Sequence, residues 1–294
     1  MSNQPFRAVA RSVAFLVVAI AINPATQALA EGWGSISGQI TLKGDVPELL
    51  VARKKGDPNV KDFKCCAEKT MYDNTLMVHP KSKGIQHIFV FVRRVKSIHP
   101  DLKESKRKEL VFDQKHCRFK PHTMLLRTDQ TVIVKSDDPI SHSTQTLPLR
   151  QDGINFIVSP NNRIGDKLTL KVPETFPTKI TCSIHPWMTA YWMVLDHPYM
   201  TITDENGKFK IDKLPEGEHE FRFWQERCGW LYIKKDDNKN YIWQKKWKGG
   251  NWVGNKCIVT VKDGETNKFP TVEFPLAWFP NPNPKPDPVA AGQK

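Results

Sequence analysis

No stretch of the 294-residue chain supplies the ~20 consecutive apolar residues that a membrane-spanning helix needs. Convincing amphipathic helices are missing too. The best candidate, Asp101 to Leu110, is mostly charge and has no apolar stripe to bury. Nucleophile elbows, paired-carboxylate sites and zinc-hydrolase helices are absent, so catalysis by this chain alone is not expected. There is no internal repeat and no nucleic-acid-binding motif, and nucleic acid is not an expected partner. Negative charge is in short supply: 31 Asp and Glu face 44 Lys and Arg, for a net charge of +13. Such an excess favours acidic proteins or anionic polymers as partners.

The first thirty residues stand apart. Arg7 and Arg11 precede the apolar run Val13 to Ile22, and the stretch ends Ala28-Leu29-Ala30. A basic start, a short apolar core and a small-x-small end predict an export signal at 1–30, cleaved after Ala30, and hence a periplasmic or secreted protein. Cleavage removes two positive charges and leaves the remainder strongly basic. Export also bears on the six cysteines, Cys65, Cys66, Cys117, Cys182, Cys228 and Cys257. In an oxidising compartment an even count suggests disulfides throughout. If Cys182 is set aside for metal, one of the other five must stay a thiol or pair between molecules. The expected bonds are Cys228 with Cys257, and Cys117 with one of the adjacent Cys65 and Cys66.

Beyond the signal, short runs rich in Val, Ile, Thr and Phe alternate with Gly, Pro, Asn and Asp, which predicts an all-β chain of sandwich type. The predicted strands are Ser35 to Leu42, Ile88 to Val92, Thr131 to Lys135, Lys167 to Val172, Lys179 to Cys182 and Tyr191 to Leu195. Three textures follow one another. Residues 31–105 and 199–278 read as flanking β segments, and 106–198 carries the metal candidates. The tail 279–294 alternates Pro with Asn, Lys and Asp and reads as disordered.

Most of the chemistry sits in Cys182-Ser183-Ile184-His185-Pro186-Trp187-Met188, where a thiolate, an imidazole and a thioether fall within seven residues. A second imidazole, His142, follows Ser136-Asp137-Asp138-Pro139-Ile140-Ser141. Soft sulfur with imidazole suits copper, and two His, one Cys and a weak axial Met make an electron-transfer site. The competing reading is a disulfide at Cys182 with His185 and Met188 packed in a core. No His-x-His and no Cys-x-x-x-Cys pair occurs, which excludes trinuclear and CuA-type binuclear copper centres.

These residues resemble the cupredoxins, above all members with an amicyanin- or plastocyanin-like ligand loop. The amicyanin loop reads Cys-Thr-Pro-His-Pro-Phe-Met, so Cys182, His185, Pro186 and Met188 coincide in spacing. Phe119-Lys120-Pro121-His122 and the strand from Asp129 to Val134 are similar to the segment before that family's first His ligand. The resemblance covers 106–198 and implies a Greek-key sandwich, one type 1 copper held by His142, Cys182, His185 and Met188, and one-electron transfer. Ser143 stands where the family usually has an Asn that ties the two ligand loops, a change that bears on site rigidity and potential without removing a ligand. Ile184 replaces a Pro. The His185 edge, framed by Ile184, Pro186 and Trp187, is expected to face solvent as a docking patch. Nearby lysines would steer an acidic redox partner such as a c-type cytochrome to it.

Gly34-x-x-x-Gly38 and Thr203-Asp204-x-x-Gly207-x-Phe209-x-Ile211 resemble the two halves of a carboxypeptidase-regulatory-like sandwich. That implies a second sandwich made by the flanks, with the cupredoxin inserted after Val92. Trp224, Trp230, Trp243, Trp247 and Trp252 lie among lysines between 224 and 252. They read either as packing or as a glycan-binding surface. Two functions therefore stand beside electron transfer: copper storage or delivery, and cell-surface glycan or partner binding with a structural copper.

Overall fold

The computed structural model describes residues 32–231, 245–254 and 256–280. The expected signal at 1–30, Trp243 and all but the first two residues of the expected tail lie outside the described residues. What is described is all-β apart from one helical turn, Phe63–Cys66, and two 3₁₀ turns, Pro100–Leu102 and Leu276–Trp278. The charged candidate after Asp101 yields only the turn Pro100–Leu102, and Glu109–Gln114 is already strand. No described helix is long and apolar enough to cross a membrane.

Strands between 109 and 195 pair only with one another. One sheet runs Asn155–Val158, His142–Leu147, Thr178–Thr181, Thr189–Leu195, Thr123–Arg127; the other runs Asp166–Leu168, Thr131–Val134, Glu109–Gln114, Phe119–Lys120. Phe112, Val132 and Val134 of the second sheet share a buried cluster with Leu126, Ile180 and Trp192 of the first. Alternation along each strand aims these side chains inward, so the two sheets form an inner sandwich.

The flanks build a second sandwich around it in sequence. Trp33–Lys43 pairs with Lys208–Pro215, Thr266–Lys268 and Val272–Pro275. A second sheet carries Met200–Ile202, Phe89–Val92, Gly217–Gln225 and Lys256–Val261 side by side. Ile36, Ile40, Val90, Phe221, Phe223 and Val259 lie in its core. The turn Asp204–Gly207 passes the chain from one of these sheets to the other. Gly207, at φ 70°, is required there because a Cβ would lie 2.0 Å from the Ile40 carbonyl oxygen.

Phe89–Val92 is buried on both faces, which is why it reads as an unbroken apolar run. Val90 and Val92 enter the outer core. Phe89 and Phe91 join Met193, Leu195 and Trp224 in a third cluster that spans the two sandwiches. Trp224 and Trp252 are buried and Trp230 half-buried, so these three tryptophans pack. The side chain of Trp247 lies outside the described residues.

Between Lys43 and Phe89 the chain leaves the outer sandwich. It forms a ribbon, Val51–Arg53 with Met71–Tyr72, and the turn Phe63–Cys66. Val60, Cys65 and Cys66 pack into the inner core, and Cys66 is bonded to Cys117 with their Cα atoms 5.1 Å apart. Of the two expected disulfides only this one forms; Cys228 and Cys257 are not bonded to each other. Cys257 sits opposite Phe221 in the sheet. Cys228 lies in the turn beyond Gln225, a strand length of about 13 Å farther on, well outside disulfide reach.

Candidate metal centre

His142 opens the inner strand His142–Leu147, and Cys182 follows Thr178–Thr181, its neighbour in the sheet. Both ligand candidates therefore emerge at the same end of adjacent strands. The loop after Cys182 folds back on itself: the Met188 amide donates to the His185 carbonyl at 2.9 Å, and the Cys182 amide to the Met188 carbonyl at 3.3 Å. His142 and His185 are wholly buried, and Cys182 and Met188 are 1% exposed.

Three donor atoms meet. The Nδ1 atoms of His142 and His185 lie 3.0 Å apart, and Cys182 Sγ lies 3.8 Å from the latter. All three lie within 4.8 Å of one another. Met188 is buried in the same cluster as Cys182. On the far side of each ring a carboxylate waits. His142 Nε2 donates to Asp138 Oδ2 at 2.8 Å, and His185 Nε2 donates to Asp62 Oδ2 at 2.9 Å. Ionised carboxylates only accept, so each Nε2 carries hydrogen and each neutral ring turns its Nδ1 lone pair inward. Two lone pairs and a sulfur facing one another in a dry pocket call for a cation, and this N₂S set fits copper.

Electrostatics agree. Burial raises the Cys182 thiol, but donors from His142, His185 and the amides of Ser143 and His185 outweigh it and bring the pKa down to about 5. Burial works against charge on His142 as well; Asp138 and Cys182 prevail and lift it to about 8. Without metal, a proton on His142 serves as the cation, and metal uptake competes with it. Thiolate absorbance near 240 nm in metal-free protein is thus expected to persist as pH falls from 9 and to vanish only as it drops through about 5. The Cys182→Ser variant should lack it throughout; a transition near pH 8 to 9 would contradict the geometry.

Asp138 is 2% exposed and also accepts from the amides of His116 at 2.6 Å and Cys117 at 2.8 Å. Burial disfavours its charge, yet these donors and His142 hold it below the usual carboxylate range. Ser143 does not loosen the site. Its hydroxyl accepts from the Ser183 amide at 2.8 Å and its amide donates to Cys182 Sγ at 3.3 Å, tying the two ligand loops together.

The expected docking patch is corrected. The His185 edge does not reach solvent, because the segment around Asp62, pinned by Cys66–Cys117, covers it. Arg53 lies 4.6 Å over the Trp187 ring, Ile184 packs on the inner core, and of the three residues only Pro186 is exposed. Sequence reasoning missed both carboxylates. Asp138 could have been found as an acid four residues before a His ligand. Asp62 gave no local signal, since 123 residues separate it from His185. The remaining histidines serve structure: His122 binds Glu226 in a buried pair, and His197 accepts from the Tyr199 amide.

No known family model and no curated protein matches the chain. Several solved structures align with part of it. Amicyanin from Paracoccus versutus is 12% identical, with a TM-score of 0.25, and the match covers 36% of this chain and 96% of that one. A purple cupredoxin from Nitrosopumilus maritimus is 20% identical, with a TM-score of 0.23 and coverage of 29% and 97%. A copper-containing nitrite reductase from Thermus scotoductus SA-01 is 16% identical, with a TM-score of 0.25; 34% of this chain matches 25% of that one.

Proposed function

We propose that this chain is a mononuclear copper protein that carries single electrons. One type 1 copper would be held by His142, Cys182 and His185, with Met188 as the weak fourth ligand. The observation that carries the reading is the convergence of two inward Nδ1 atoms on one buried sulfur, each ring fixed from behind by a carboxylate. Copper in this place would supply a one-electron Cu(II)/Cu(I) couple. The protein supplies rigidity. Ser143 locks the two loops, Asp138 and Asp62 fix both imidazoles, and the inner core excludes water, so ligand positions exist before metal arrives. The carrier acts outside the cytoplasm, and its positive charge suits an acidic redox protein such as a c-type cytochrome.

Reconstitution with Cu(II) tests the proposal. The wild-type chain should take up one equivalent and become intensely coloured through thiolate-to-copper charge transfer. Cys182→Ser should stay colourless, and so would the wild type if the reading were wrong. One observation favours a second reading, copper storage or delivery: the covered His185 lengthens the path to any partner. Rapid reversible reduction by a small reductant separates a carrier from a store.

A further inference from the structure

A cavity of about 510 Å³ opens beside the ligand loop, with Trp187 and Met188 in its wall. Four cations line it, Arg53, Arg118, Lys179 and Arg227, against two acids. Both acids are already engaged. Asp73 pairs with Arg227 at 2.9 Å, and Glu226 is bound to His122. Among the described residues Arg53, Arg118 and Lys179 have no carboxylate partner.

The two half-buried guanidiniums are poorly satisfied by the protein. One Arg53 amino group meets only the Met71 sulfur, a weak acceptor, and its Nε has no hydrogen-bond partner. Arg118 donates to the Tyr72 carbonyl oxygen. Burial, then the like charge of Arg118, brings Arg53 down to about 10; burial also lowers Arg118 although Asp73 opposes it. Two neighbouring cations withdrawn from water are costly unless an anion completes them. Guanidinium forks present paired N–H groups that match a planar or tetrahedral oxyanion.

We propose that this cavity is a binding site for a small oxyanion of carboxylate or phosphate type, gripped by Arg53 and Arg118 with Lys179 at its margin. The site does not depend on the metal and needs none to form. Because Arg53 also stacks on Trp187, an occupant would steady the loop that carries His185 and Met188.

Calorimetric titration of the full chain with inorganic phosphate, and separately with succinate, at constant ionic strength tests this. At least one anion should bind saturably at a single site with a dissociation constant below about 1 mM, and which one does so identifies the chemistry. Arg118→Gln and Arg53→Gln should each weaken it about tenfold or more, while Arg163→Gln, which alters a surface arginine paired with Asp113, should not. Melting guards against misfolding: without anion Arg118→Gln should melt no lower than the parent, yet lose the anion-dependent rise. Absence of saturable heat from both anions, or unchanged affinity in both variants, overturns the proposal.

Discussion

Asp138→Ala is expected to destabilise the protein by about 3–5 kcal/mol and to weaken metal binding about 10- to 100-fold. The carboxylate takes its hydrogen bonds from His142 and from the amides of His116 and Cys117, in a place almost closed to solvent. Its removal strands two buried donors and frees the His142 ring to turn its Nδ1 away. Asp138→Asn keeps one acceptor and should recover part of the stability while still holding metal poorly. Asp62→Ala is the contrast. That side chain is 39% exposed, so its loss should cost less, about 1–3 kcal/mol for the buried His185 Nε2 that it leaves without an acceptor. Denaturant midpoints together with copper titration decide the matter; equal effects at the two positions would show that deeper burial and two amide donors give Asp138 no greater role than Asp62.

Loss of the Cys66–Cys117 bond should cost about 4 kcal/mol, given the 51-residue separation it closes. The expected consequence at the centre is larger than that figure implies, because the bond holds Asp62 and the turn Phe63–Cys66 over His185. Cys117→Ser should show the full loss, with faster hydrogen exchange across 60–66 and a newly accessible His185. Cys66→Ser should lose less. Cys65 Sγ lies 3.9 Å from Cys117 Sγ and can take over the bond, although burial and Asp138 keep its thiol pKa near 11. Identical behaviour of the two variants would rule out that substitution.

Much of this was legible in the sequence because the signals were local. Short runs rich in Val, Ile, Thr and Phe placed Ser35 to Leu42 and Tyr191 to Leu195 correctly, and the structure extends them to Trp33–Lys43 and Thr189–Leu195. The spacing of Cys182, His185 and Met188 needs only one turn to bring them together. His142 was harder, yet the strand before it, Thr131–Val134 of the facing sheet, delivers the chain to the ligand end of the sandwich. What escaped was whatever depends on a distant segment crossing over. Asp62 and Arg53 reach the centre from a ribbon whose own sequence shows neither strong periodicity nor motif. The expectation of a bond from Cys65 or Cys66 to Cys117 held the clue. Followed through, it brings 62–66 next to 117, hence next to Asp138, and makes an open docking patch untenable. The Cys228–Cys257 pairing failed for the opposite reason, since sequence proximity says nothing about how far along a strand a turn lies.

Met200 is paired with Phe91, so the inner sandwich is entered and left through adjacent antiparallel strands. To the unfolded flanks, residues 93–199 are one very long loop whose ends must meet before the central sheet of the outer sandwich can align. Closing such a loop in an unstructured chain is entropically costly and slow. Once the inner strands have collapsed, the same ends are already neighbours. Prior collapse of the middle of the chain would therefore remove most of that closure cost and give the outer halves a ready-made junction.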